Sequence, residues 1–140
     1  MIDGALNYAR ARMNNLGYQE WTDSFNFENI PRTLLEDVYH LELGTVSRKN
    51  EQHDNIELNV PLIVRLFSRS FLNTGEGRDA AIILADTVID SFVKGSNRLG
   101  NANIETIQFD QLVLQALNEE NDNSLMLIID FTALTIKSTR

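Results

Sequence analysis

Residues 124–137, SLMLIIDFTALTIK, are largely apolar on both alternating parities. A strand with that pattern is buried on both faces, or is covered on one of them by a partner subunit. The chain must therefore build a sheet with material stacked against it. Residues 104–117 lead into this strand across NEENDN, residues 118–123, a polar tip of hairpin composition. A second hairpin is written upstream. Residues 35–47 place Leu35, Tyr39, Leu41 and Leu43 on one parity. Residues 56–66 place Ile56, Leu58, Val60, Leu62, Val64 and Leu66 on one parity of their own. Between them SRKNEQHDN reads as a long charged tip. Pro61 removes a backbone donor, which predicts an edge position or a bulge for its strand.

Two segments follow the helical period instead. At about 100° per residue, Ile2, Ala5, Leu6, Ala9, Met13 and Leu16 form one narrow stripe, which predicts a helix over residues 2–16. Gly17 is placed to stop it in the left-handed region. Residues 18–37 hold several aromatics without a sustained period, and read as irregular or short-strand chain that helps cover the core. After Gly75 and Gly77 a second helix is predicted over residues 78–94, its apolar arc swept by Ala80, Ala81, Ile82, Leu84, Ala85, Val88, Ile89 and Phe92. Asp79, Asp86 and Asp90 fall within about 40° of one another on the opposite side, an acidic ridge. GSNRLGNAN, residues 95–103, is loop by composition. The order is helix, hairpin, helix, hairpin. That predicts one α+β domain over residues 1–140, with about four mainly antiparallel, possibly mixed, strands and both helices packed on them.

Composition excludes several functions. The chain has 140 residues, room for one sizeable core, and a hydrophobic fraction of 43%, above the range of disordered chains. Its net charge of −8, spread along the chain, argues against gripping duplex DNA through phosphate neutralisation, although a negative wall would let DNA slide past. There is no cysteine, hence no disulfide or thiolate chemistry, as suits a cytosolic origin. The opening MIDGALNYARARM has no apolar segment of the signal-peptide kind, and no run is long enough to span a bilayer.

Few motifs carry chemistry. NTGEGRDAA, residues 73–81, contains G-x-G-x-x-A at Gly75, Gly77 and Ala80 before a helix. A dinucleotide site needs that motif inside a parallel βαβ unit. Here Glu76 and Asp79 would also repel the phosphates, so the motif reads as a turn in which Asp79 favours the helix dipole. His40 and His53 lack a metal-ligand spacing, and their neighbours Glu42 and Asp54 do not supply one, so neither a metal nor a cofactor is expected. No serine lies in G-x-S-x-G, and no nucleophile and base can be paired. Asp130, inside an apolar strand, calls for an ion pair with Arg65 or Arg69, or a place facing outward near an edge. Arg65, Phe67, Arg69 and Phe71 share a parity, a weak single-strand nucleic-acid pattern and a better inter-strand or inter-subunit ion-pair pattern.

The segments ALNYARARM, IELNVPLIVRLFSRSF, GRDAAIILADTVIDSFV and LIIDFTALTI, in that order, resemble the tail terminator (tail completion) proteins of long-tailed bacteriophages. The resemblance covers nearly the whole chain and lies in element order, size and hydrophobic texture. It implies a non-enzymatic virion protein of the tail or neck, assembled in the host cytoplasm as a ring, commonly hexameric. Such a ring caps the tail-tube protein, ends polymerisation and meets the head-tail connector. DNA crosses its channel without sequence-specific binding, and no membrane is involved. The expected contact residues are Arg48, Lys49, Glu51, His53, Arg65, Arg69, Asp79, Asp86, Asp90, Glu119 and Glu120. A head-tail joining protein or a minor tail or sheath-associated component belongs to the same class. An oligomeric α+β domain that binds a small ligand or effector is the alternative from another class.

Overall fold

The computed structural model describes residues 2–21, 38–51, 55–67, 74–94, 104–116 and 125–138, with the backbone alone for residues 50, 51, 55, 137 and 138. The fold is α+β. It runs α1 (Ile2–Asn15), β1 (Gln19–Glu20), β2 (Val38–Leu43), β3 (Ser47–Glu51), β4 (Asn55–Phe67), α2 (Gly75–Lys94), β5 (Ile104–Ala116) and β6 (Leu125–Ser138). The six strands form one sheet in the order β1-β2-β4-β6-β5, with β3 paired to β4 beside that path. All pairings are antiparallel except the short β1 to β2 contact.

The expectation of about four strands falls short by two, and each omission has a cause. β1 is two residues long, too short to carry an alternation. β3 lies inside the charged segment expected to be a hairpin tip, where its backbone pairs with β4 from Ser47↔Asn59 to Glu51↔Ile56. The break between β2 and β3 is a local irregularity. Between the pairs Leu43↔Leu62 and Ser47↔Asn59, three residues on one side oppose two on the other.

Pro61 explains that break. It lies in β4, which is an interior strand and not an edge, flanked by β6 on one side and by β2 and β3 on the other. The Pro61 carbonyl accepts a 2.9 Å hydrogen bond from the Gly44 N–H. A strand residue directs its N–H and C=O to the same neighbour, so the donor missing from Pro61 faces the gap at residues 44–46 and leaves the β4 to β6 ladder intact. A Cβ on Gly44 would stand 2.7 Å from the Pro61 Cβ, so the close approach requires glycine.

Both helices cover one face of the sheet. α1 touches β1, β2, β4 and β6, and α2 touches β5 and β6. Ala5, Ala9 and Met13 of α1 and Ala81, Ala85, Val88 and Phe92 of α2 are buried in a single cluster. The inward parities of the central strands complete it: Val60, Leu62, Val64 and Leu66 of β4, and Leu127, Ile129, Phe131 and Ala133 of β6. Burial of each large side chain contributes about 1.5–3 kcal/mol. Phe92 stacks on Phe131 with centroids 4.4 Å apart, tying α2 to the sheet centre. The opposite face holds a second, smaller cluster of Val38, Phe67 and Met126, with Trp21 and Ile128 packed against it. β6 thus places buried residues on both parities, as its composition requires.

The helix ends are set locally. α1 stops at Asn15, and Gly17 takes φ of 87°, the left-handed geometry expected of it. α2 begins at Gly75, three residues before the expected start, so Gly75 and Gly77 belong to its first turn. The Thr74 hydroxyl accepts a 3.1 Å hydrogen bond from the Gly77 N–H, an N-cap. The cap is therefore Thr74, and the acidic residue of the first turn is Glu76, not Asp79.

Candidate functional site

The α2 ridge stands where the helical wheel puts it. Asp79, Asp86 and Asp90 are all exposed on the side of α2 turned away from the sheet. Its charge is tempered at both ends. Arg78 Nε lies 3.8 Å from Asp79, and Lys94 Nζ lies 3.7 Å from Asp90. Asp86 has no ion pair among the described residues. Ile83 belongs to the same exposed side, four residues after Asp79 and three before Asp86, and is 67% exposed. Ile82, expected in the apolar arc, is 38% exposed, a correction to that arc. Ile83 was legible from the period of the ridge itself, since i and i+4 share a helix face.

The second group of expected contacts lies across the sheet. Arg48 and Lys49 are exposed on β3, and Lys49 occupies the irregularity between Arg48 and Asn50. Glu51 is the last residue of β3, and only its backbone is described. His53, Arg69, Glu119 and Glu120 lie outside the described residues, as do Asp54 and Phe71.

Arg65 does not pair with Asp130. It forms an ion pair with Glu42, and the register shows why this is possible. Arg65 stands opposite His40 on β2, one step along the same face from Glu42. Asp130 stands opposite Ile63 on β4 and Gln111 on β5, and its Oδ2 accepts a 2.5 Å hydrogen bond from Gln111 Nε2. Asp130 is half-buried on β6, beside the edge strand β5, on the face turned away from the helices, which is the outward position near an edge. On β5 the neighbouring carboxylate, Asp110, accepts from the Thr132 hydroxyl at 2.5 Å. Phe67, 2% exposed against Val38 and Met126, offers no ring face for a stacked base.

His40 sits beside Arg65 and Glu42, half-buried. Desolvation lowers its pKa from the ordinary 6.5, and the Arg65 charge lowers it further. Neutral imidazole is the form this setting favours. No group of three or more His, Cys, Asp or Glu among the described residues is arranged to hold a metal ion. No helix among them is long and apolar enough to cross a membrane.

The G-x-G-x-x-A segment takes a distinct topology. β4 and β5 are each antiparallel to β6, so they run in the same direction with β6 between them, and α2 crosses from one to the other. The crossover is a split β-α-β unit, and the two parallel strands are not neighbours. Glu76 places a negative charge in the first turn of α2, where a phosphate would have to approach the helix N-terminus.

Sequence reasoning missed the contacts that tie α1 to α2 and to β1. The Tyr8 hydroxyl donates to the Phe92 carbonyl at 2.8 Å, and the Arg12 guanidinium lies 5.5 Å from the Tyr8 ring centroid. Arg10 Nε bonds Glu20 at 2.9 Å, tying α1 to β1. The Tyr8 to Phe92 bond joins residues far apart in the chain, whereas Arg12 and Tyr8 are one helical turn apart and Arg10 and Glu20 ten residues apart; the helical period marks only that Tyr8 lies near the buried stripe. No protein-family model matches the chain, and no match to a curated protein is found.

Proposed function

We propose that the chain is a structural ring subunit of a long-tailed bacteriophage, a tail terminator that caps the tail tube, ends its polymerisation and joins it to the head connector. DNA passes through the channel of the ring without sequence-specific contacts. The observation that carries this reading is the polarity of α2. One side is anchored through Ala81, Ala85, Val88 and Phe92, while the other exposes Asp79, Ile83, Asp86 and Asp90 as one continuous ridge. Such a ridge suits either a neighbouring subunit or a lumen that repels phosphate. The element order fits the same reading, with an N-terminal helix, a long antiparallel sheet and a helix crossing to two closing strands.

Tail-tube polymerisation tests it. Purified chain added to elongating tubes of the phage that encodes it should cap each tube with a ring visible by electron microscopy and halt growth. Tubes that elongate at an unchanged rate, with uncapped ends, would overturn the reading.

A further inference from the structure

Among the described residues β5 is the last strand on its side of the sheet, paired with β6 alone. A free edge presents a row of backbone N–H and C=O groups, and natural sheets protect such edges with charges and bulges. β5 carries both, but only in its first half. Its register is broken between Ile104 and Thr106 and again between Phe109 and Gln111, and its two charged residues, Glu105 and Asp110, stand at those breaks. From Gln111 to Ala116 the ladder to β6 is regular, and the strand holds no charge, proline or bulge.

The exposed apolar side chains of β5 mark the same edge. Phe109 lies opposite Phe131 on the helix side, whereas Val113 lies opposite Ile128 on the face turned away from the helices. They are 38% and 41% exposed. No single layer stacked on the sheet would cover both, but a strand laid along the edge borders both.

Residues 111–115 read QLVLQ, the same in either direction. We propose that this segment pairs antiparallel with itself in a second copy of the chain, continuing the sheet across a two-fold axis at Val113. In an antiparallel pair, directly opposite residues share a face. Val113 then meets Val113, and Gln111 meets Gln115, on the face away from the helices. Leu112 meets Leu114 on the helix side, where both already pack on the core. No two charges meet within the segment, and Asp110 falls opposite Ala116. Moving the axis by one residue sets Gln111 against Val113, or Val113 against Gln115, and the match of like with like is lost. A two-fold contact uses one patch on both copies and closes on itself, so the pairing does not depend on the ring reading.

Cysteine scanning tests the register, because the chain has no cysteine of its own. Val113→Cys, Gln111→Cys and Gln115→Cys are made singly, with circular dichroism confirming that each folds. On mild oxidation Val113→Cys should form a covalent dimer about tenfold faster than either glutamine variant, whose thiols stand about 14 Å apart along the paired strands, beyond the reach of a disulfide. Mixing the two glutamine variants should restore the dimer, since each thiol then meets its opposite. Val113→Lys, which sets two like charges against each other at the axis, should dissociate the pair in sedimentation. The pairing is overturned if Val113→Cys crosslinks no faster than the glutamine variants, or if the unmodified chain forms no species that Val113→Lys dissociates. A ring that persists unchanged in Val113→Lys would overturn the pairing alone and leave the ring reading standing.

Discussion

The hydroxyl of Tyr8 in α1 donates a 2.8 Å hydrogen bond to the backbone carbonyl of Phe92, in the last turn of α2. The two rings meet edge to face, 6.3 Å between centroids. A carbonyl in the last turn of a helix has no partner within the helix, so this bond from another element satisfies an otherwise orphaned acceptor. Because Phe92 also stacks on Phe131, Tyr8 fixes the C-terminal end of the helix that presents the ridge. Tyr8→Phe keeps the ring and deletes the donor. It should lower stability by about 1–2 kcal/mol in urea unfolding. An unchanged midpoint would show that the bond does not hold α2 in place.

Two glycines should respond in opposite directions. At Gly44 a Cβ would meet the Pro61 Cβ at 2.7 Å, with Pro61 held in the interior strand β4 and Gly44 held to it by its N–H bond to the Pro61 carbonyl. Gly44→Ala should destabilise by about 1–3 kcal/mol through overpacking. At Gly75, the first residue of α2, a Cβ meets nothing within 4 Å. Gly75→Ala should stabilise by about 0.4–1 kcal/mol, mainly by restricting the unfolded chain. Thermal unfolding of the two variants measures both signs.

Tyr39 is wholly buried, and its hydroxyl has no hydrogen-bond partner among the described residues. Desolvation pushes its pKa up to about 12, with the Glu20 charge adding to the rise. The sign follows from linkage. Between the ordinary value of 10.0 and about 12 the unfolded chain has released the proton that the folded chain retains, so stability falls as pH rises through that window. Tyr39→Phe should remove this part of the alkaline loss. At neutral pH it should be neutral or stabilising by up to about 1 kcal/mol, since an unpaired buried hydroxyl is removed. Unfolding at pH 7 and at pH 11 compares the two.

Replacing Asp79, Asp86 and Asp90 by Asn should leave folding nearly intact. All three are exposed, and exposed ion pairs of the Arg78–Asp79 and Lys94–Asp90 kind contribute about 0–1 kcal/mol each. Assembly or DNA passage should change instead. If both are unaffected, the ridge faces only water.

Much of this fold was readable where side-chain period and burial coincide. The stripe of α1, the alternation of β4 and the double-sided apolar character of β6 all reappear as buried residues, because packing against a single core enforces those periods. What escaped is set by backbone pairing and strand order. SRKNE forms β3 through its ladder to β4, and polar side chains give no sign of it. Pro61 sits in an interior strand because its missing donor faces the gap beside Gly44. The partner of Asp130 depends on which strands flank β6, which parity alone does not specify. The start of α2 was displaced because Gly75 and Gly77 read as turn residues, while Thr74 caps a helix that includes them. The ridge was legible in the helical period; its pairing with Arg78 and Lys94, and the exposure of Ile83 within it, are details of geometry.

The mass of the assembled protein tests the central claim most directly. Sedimentation over a wide concentration range, with electron microscopy of tail and neck preparations, should show a closed ring of subunits around a channel. A monomer at every concentration, with no ring in those preparations, would contradict it.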